Sequence, residues 1–195
     1  MISILQTILT NILKAIYESF GFAVLLAIFF MFFYLFAKAT SWKRAVKIWL
    51  EMFRKSSEFR KMFLFVFYVA LMLFRTLLNR SIWSNPLSNV MGGWGLNGDD
   101  GKLSTEAAEN VFLLIPYILL LFWTFSHKLW KTRKVTWMLA SALGIGFGTS
   151  LGIEFLQLLL CLGTFQLSDL FYNTLGGVLG GMIYVTAMKV KEAWK

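Results

Sequence analysis

Charge is scarce in this chain. Asp, Glu, Lys and Arg make up 15% of its 195 residues, while 58% are hydrophobic; soluble domains carry about 25% charged residues. That deficit argues against a water-soluble fold and for an integral membrane protein. Cysteine is nearly absent as well. Cys161 stands alone, so no internal disulfide can form and the thiol reads as a small packed hydrophobe. The single histidine, His127, closes the third apolar segment. No zinc-binding helix motif, nucleophile elbow or phosphate loop is present, and Ser150 has no histidine base within reach by spacing. No cofactor or metal site is expected. The N-terminus lacks the ordered charged, apolar and small-residue regions of a cleaved signal, so the chain is expected to be retained whole.

Positive charge is the exception, with a formal net of +9. Its placement speaks for topology and against nucleic acid, because the basic residues sit in short runs between apolar segments. A spanning helix needs about 20 mostly apolar residues, and five segments qualify: Phe20 to Ala37, Met62 to Leu78, Val111 to Phe125, Val135 to Leu160 and Leu170 to Met188. The fold class is therefore an all-α, polytopic transmembrane helical bundle. Lys38, Lys43, Arg44, Lys47, Arg54, Lys55, Arg60 and Lys61 follow the first span. Lys128, Lys131, Arg133 and Lys134 follow the third, and Lys189, Lys191 and Lys195 follow the fifth. All three groups share one side, which reads as cytoplasmic; the N-terminus is then outside and the C-terminus inside.

Four regions flank or interrupt these spans. Residues 1–19 form an amphipathic segment, with Leu5, Ile8, Leu9, Ile12, Leu13 and Ile16 on one face and Thr7, Thr10, Asn11 and Lys14 on the other; it reads as a separate helix that lies in the outer interface or packs beside the bundle. Residues 20–61 hold the first span and a basic segment whose Ser41 to Lys61 stretch reads as one helix resting on an anionic leaflet. Residues 62–188 are a four-helix membrane domain, and 189–195 a cytoplasmic tail. Within the membrane domain, Arg80 to Thr105 carries Pro86 and a glycine-rich run. Its Trp83, Leu87, Met91 and Trp94 suggest that it dips into the outer membrane boundary, with Asp99 and Asp100 in a polar turn.

Polar groups inside the spans are the informative residues, since each costs free energy unless paired or hydrated. Arg75 and Asn79 share a helix face by their spacing of four, as do Asp169 and Asn173, and Glu154 and Gln157 by a spacing of three. Glu109 and Asn110 open the third span, and Asn85 with Pro86 precedes it. Alternate spans run in opposite directions, yet every pair falls toward the same outer side. A shared outward-opening polar cavity accounts for that agreement. A structural ion-pair network, with Arg75 neutralised by Glu154 or Asp169, is the plainer alternative. Gly144, Gly148 and Gly152, and the pairs Gly176/Gly180 and Gly177/Gly181, have the spacing that lets membrane helices approach closely, which suggests a tight pair of fourth and fifth spans.

The blocks Asn110-Val-Phe-Leu-Leu-Ile-Pro116, Ser150-Leu-Gly-Ile-Glu154-Phe-Leu-Gln157 and Asp169-Leu-Phe-Tyr-Asn173-Thr-Leu-Gly176-Gly177, in that order, resemble the VanZ-like family of small bacterial membrane proteins. Arg75 and Asn85-Pro86 resemble its earlier elements. The resemblance covers roughly residues 75 to 185. It implies a bacterial cytoplasmic membrane protein and, through the family's founding member, resistance to the lipoglycopeptide teicoplanin.

These readings converge on Arg75, Asn79, Asn85, Asn110, Glu154, Gln157, Asp169 and Asn173 as ligand-binding candidates. The expected ligand is an amphiphile at the outer leaflet: a lipoglycopeptide antibiotic, a membrane lipid or a lipid-linked cell-wall precursor. The alternative is an intramembrane enzyme using Glu154 and Asp169 for acid–base chemistry on a cell-wall or lipid substrate, with Asp169 ionised near Arg75. A third is a structural subunit or chaperone of a cell-wall complex.

Overall fold

A computed structural model of the chain describes residues 2–36, 41–95, 104–130 and 134–194. Among these there are six α-helices: α1 (Ile2–Phe36), α2 (Trp42–Lys55), α3 (Ser57–Leu73), α4 (Glu106–Leu129), α5 (Val135–Leu160) and α6 (Leu167–Ala193), with a π-helical turn, Phe74–Leu78, continuing α3. Five are long and apolar enough to cross a membrane: Ile4–Phe33, Ser57–Leu78, Glu106–Leu129, Val135–Leu160 and Leu167–Ala193. Leu25, Phe29 and Phe33 are 69%, 64% and 64% exposed. Such an apolar belt is untenable in water and ordinary against lipid.

The N-terminal amphipathic segment and the first span are one uninterrupted helix of 35 residues, with no break near residue 19. At 1.5 Å per residue it runs about 52 Å, well beyond the roughly 30 Å hydrocarbon core. Asn11 turns toward the bundle beside Ile8 and Ile12, while Thr7, Thr10 and Lys14 are exposed along with Leu5, Leu9 and Leu13. The basic stretch behaves the opposite way. Ser56 interrupts it, accepting a hydrogen bond from the Phe59 backbone N–H at 3.2 Å, so α2 ends at Lys55 and Arg60 and Lys61 belong to α3. On α2, Lys43 and Lys47 are exposed. Trp49 and Phe53 stack at 5.1 Å and pack on a cluster of Met31, Leu35 and Phe59 from α1 and α3.

The centre of the bundle is α6, whose broadest pairings are with α4 and then α5. Glycine makes both possible, but not as the spacing suggested. Gly176 and Gly180 lie against the Val111 and Ile115 carbonyls of α4, and Gly177 meets Gly146 of α5. Gly144, Gly148 and Gly152 have open space where a side chain would project, so the expected α5 face is turned away. The α5–α6 connection is short. Cys161 adopts φ 53 and the Leu162 N–H returns to the Gln157 carbonyl at 2.8 Å, a left-handed helix stop.

Candidate functional site

Three helices converge where α3 ends. The π-helical turn is closed by the Asn79 N–H donating to the Phe74 carbonyl at 2.8 Å. A turn of this kind re-aims side chains and is frequent at functional sites. Arg75 projects from it and forms an ion pair with Glu109 of α4. The other Glu109 oxygen accepts from the Thr105 hydroxyl at 2.6 Å and from the Asn11 amide of α1 at 3.2 Å. Asn11 also donates to the Thr105 hydroxyl at 2.9 Å. Each acceptor position of this carboxylate is thus matched by a donor from a different element, which offsets the cost of holding the charge at this depth.

Space surrounds the pair on three sides. A polar cavity of about 430 Å³ lies between the π turn and α4, edged by Asn79, Arg80, Thr105, Glu106 and Asn110. A second, about 280 Å³, opens toward α1 and is edged by Asn11, Lys14, Glu18 and Asn79. An apolar groove of about 130 Å³ runs from Arg75 and Glu109 along α3 and α4 to Tyr68 and Pro116, walled by Ile12, Ile16 and Phe112. Across the polar space Lys14, Arg75 and Arg80 face Glu18, Glu106 and Glu109. Cations and anions therefore balance, and the arrangement suits an amphiphile with both signs on its head group more than a simple anion.

The remaining candidates form a separate, closed layer. Glu154 is 1% exposed and accepts from the Gln166 backbone N–H at 2.9 Å, which fixes the residue preceding α6. Gln157 donates to the Thr76 carbonyl at 2.7 Å, tying α5 to the π turn. Asn110 donates to Asp169 at 2.6 Å, and Asn173 donates to the Ser150 hydroxyl at 3.1 Å, leaving its own buried Oδ1 without a partner among the described residues. Arg75 pairs with neither Glu154 nor Asp169; its partner is Glu109. Asn110 joins the two layers, bonded to Asp169 and lining the larger polar cavity.

Asn85 is not brought into the cavity. It is exposed and accepts from the Leu87 N–H at 3.3 Å within its own turn. The segment around it docks on the α5–α6 connection: the Trp83 N–H donates to Cys161, the Phe165 N–H to Pro86 and the Leu167 N–H to Val90, at 2.8, 2.9 and 2.8 Å. Trp94 packs on Phe171 and Tyr172 at 5.5 and 5.9 Å. Gly92 has φ +71 and sits so close to Ser168 that no side chain would fit. Trp83, Leu87 and Met91 stay exposed, while Asp99 and Asp100 lie outside the described residues. In the sequence Glu109 stands at the outer start of its span but outside the ligand-binding candidates, Asn11 reads only as part of the polar face of the N-terminal segment, and Thr105 carries no assigned role. The available signal was the spacing of four between Thr105 and Glu109, which sets an acceptor beside a hydroxyl on one helix face.

Residues 4–188 match the family model described as VanZ/LLP1. No curated protein and no solved structure matches the chain.

Proposed function

The chain belongs to the VanZ/LLP1 family, and from that membership and the cavity we propose that it is a bacterial cytoplasmic membrane protein conferring teicoplanin resistance by engaging an amphiphile at the outer leaflet. Its N-terminus is outside and its C-terminus cytoplasmic, a reading supported by the basic residues gathered at the opposite end of the helices. The ligand is the lipoglycopeptide or a lipid-linked cell-wall precursor. The observation that carries this reading is that a charge-balanced cavity and an apolar groove share the Arg75–Glu109 pair as a common wall. A head group meets Arg75, Asn79 and Asn110, and a chain enters between Ile16, Tyr68 and Phe112. Arginine suits the first task because its fork can leave one carboxylate for another anionic group without losing its charge.

Binding is favoured over acid–base catalysis by the placement of the two carboxyl groups. Glu154 and Asp169 are 1% and 6% exposed and neither lines the polar cavities at the Arg75–Glu109 pair. In a susceptible Gram-positive host, the wild type is expected to raise the teicoplanin concentration needed to stop growth. Arg75→Ala is expected to return it to the level of the empty host with membrane abundance unchanged. The exchange Arg75→Glu with Glu109→Arg separates the roles: it restores an ion pair but inverts its polarity toward the cavity. Loss of resistance in the exchanged protein supports ligand contact. Full resistance there, or in Arg75→Ala, would show that the pair only ties helices together and would sink the proposal.

A further inference from the structure

A second cavity, about 480 Å³, lies at the other end of the bundle, where α3 begins and α4 and α6 finish. Helices α3 and α6 each pack on α4 but not on one another among the described residues, so a groove is left along α4 between them. Its rim carries Lys61 from α3, His127 from α4 and Lys191 from α6, and its floor is Leu119, Ala187 and Met188. Trp123 and Tyr184 form the walls. The Lys61 ammonium stands 5.3 Å from the Trp123 ring centre, and the Lys61 carbonyl accepts from the Thr124 hydroxyl at 3.4 Å. Ser126, buried on α4, also lines the cavity.

Unlike the balanced site at the opposite end, this cavity has no carboxylate in its lining. A topology signal explains why basic residues are plentiful at this end. It does not explain why two lysines and a histidine from three helices, more than 120 residues apart in sequence at the extremes (Lys61 to Lys191), meet over one apolar floor. Lysines near helix ends ordinarily extend into water independently of each other.

We propose that this cavity is a binding site for one anionic glycerophospholipid of the adjoining leaflet, the phosphate held by Lys61, Lys191 and Ser126 and an acyl chain lying along Leu119, Ala187 and Met188. A free phosphate would use the rim and leave the floor empty; the lipid uses both. The site is independent of the outer-leaflet reading and stands or falls on its own test.

Full-length protein, delipidated in detergent, is titrated with phosphatidylglycerol, with phosphatidylcholine of the same acyl chains, and with inorganic phosphate, and bound molecules are counted by mass spectrometry of the intact complex. The wild type is expected to retain one phosphatidylglycerol about tenfold or more in preference to phosphatidylcholine. One lysine charge near a membrane surface corresponds to about a fivefold change in binding of an anionic lipid, so Lys61→Gln with Lys191→Gln is expected to weaken retention by about 25-fold. Arginine at both positions is expected to preserve it. Lys43→Gln with Lys47→Gln removes the same charge from exposed sites on α2 and is expected to change nothing. Equal retention of the two lipids, equal losses in the two glutamine pairs, or phosphate binding as tightly as the lipid would each overturn the proposal.

Discussion

Glu154 shows how much a single buried side chain can be asked to do in this protein. Its carboxylate accepts the Gln166 N–H at 2.9 Å and so holds the start of α6, from which Asp169 and Asn173 reach their partners. Glutamine at 154 keeps an oxygen in the same place, whereas alanine leaves the N–H unsatisfied and a cavity behind. An orphaned buried donor costs about 1–3 kcal/mol. We expect Glu154→Gln to retain teicoplanin resistance and Glu154→Ala to lose most of it along with thermal stability, measured as growth inhibition and as unfolding of the purified protein. If both variants lose resistance at normal membrane levels, ionisation of Glu154 matters and the catalytic reading moves ahead. Glu154, Gln157, Asp169 and Asn173 were legible in the sequence because a polar group in an apolar run has few reasons to be there. Their partners were not legible. The sequence offered Glu154 or Asp169 as the acid for Arg75, whereas the structure pairs it with Glu109; the choice depends on helix rotation and on the π-helical turn at Phe74–Leu78, which no spacing rule for an α-helix anticipates.

Helices raise the same difficulty one level up. A spacing of four among glycines announces that a face can be approached, yet it does not say which neighbour approaches it. On α6 both glycine faces are used: a Cβ on Gly176 would stand 2.0 Å from the Val111 carbonyl oxygen and one on Gly181 2.5 Å from the Ala142 Cβ. On α5 the equally regular Gly144, Gly148 and Gly152 meet nothing within 4 Å. Two alanine substitutions of identical chemistry should therefore diverge. Gly176→Ala pushes a methyl group into backbone that cannot rotate away, and overpacking of this kind costs about 1–3 kcal/mol. Gly148→Ala adds a methyl toward lipid and removes a flexible residue from a helix, a gain of up to about 1 kcal/mol. Thermal unfolding in detergent should show a lowered midpoint for the first and an unchanged or raised one for the second; equal shifts would mean that the α4–α6 contact is not as close as the structure has it. Span positions were readable because about 20 apolar residues leave little latitude, and Val135–Leu160 agrees at both ends. The junctions were harder. Ser56 with Glu58 two residues on is a helix start that the amphipathic run around it concealed, while α1 continues through its polar stripe because Asn11 finds partners on α4 instead of water.

At the scale of the whole molecule, the two ends of the bundle differ in chemistry. One end carries Lys61 and Lys191 at a cavity whose lining holds no acid, with Lys43, Lys47 and Arg60 exposed nearby in sequence. The other balances Lys14, Arg75 and Arg80 against Glu18, Glu106 and Glu109. Membrane insertion retains Lys and Arg on the cytoplasmic side and is largely indifferent to Asp and Glu, which is the ground for proposing that the balanced end faces outward. Surface labelling tests this directly. In a Cys161→Ala background, Ser84→Cys places a thiol in the exposed segment docked on the α5–α6 connection, and Lys47→Cys places one on the outer face of α2. A membrane-impermeant maleimide added to intact cells without a wall is expected to modify Ser84→Cys at once and Lys47→Cys only after permeabilisation. The reverse pattern would turn the Arg75–Glu109 cavity toward the cytoplasm. An antibiotic too large and polar to cross the bilayer could not then reach it, and the outer-leaflet proposal would fail whatever the cavity's shape, whereas the anionic-lipid site would merely change leaflet.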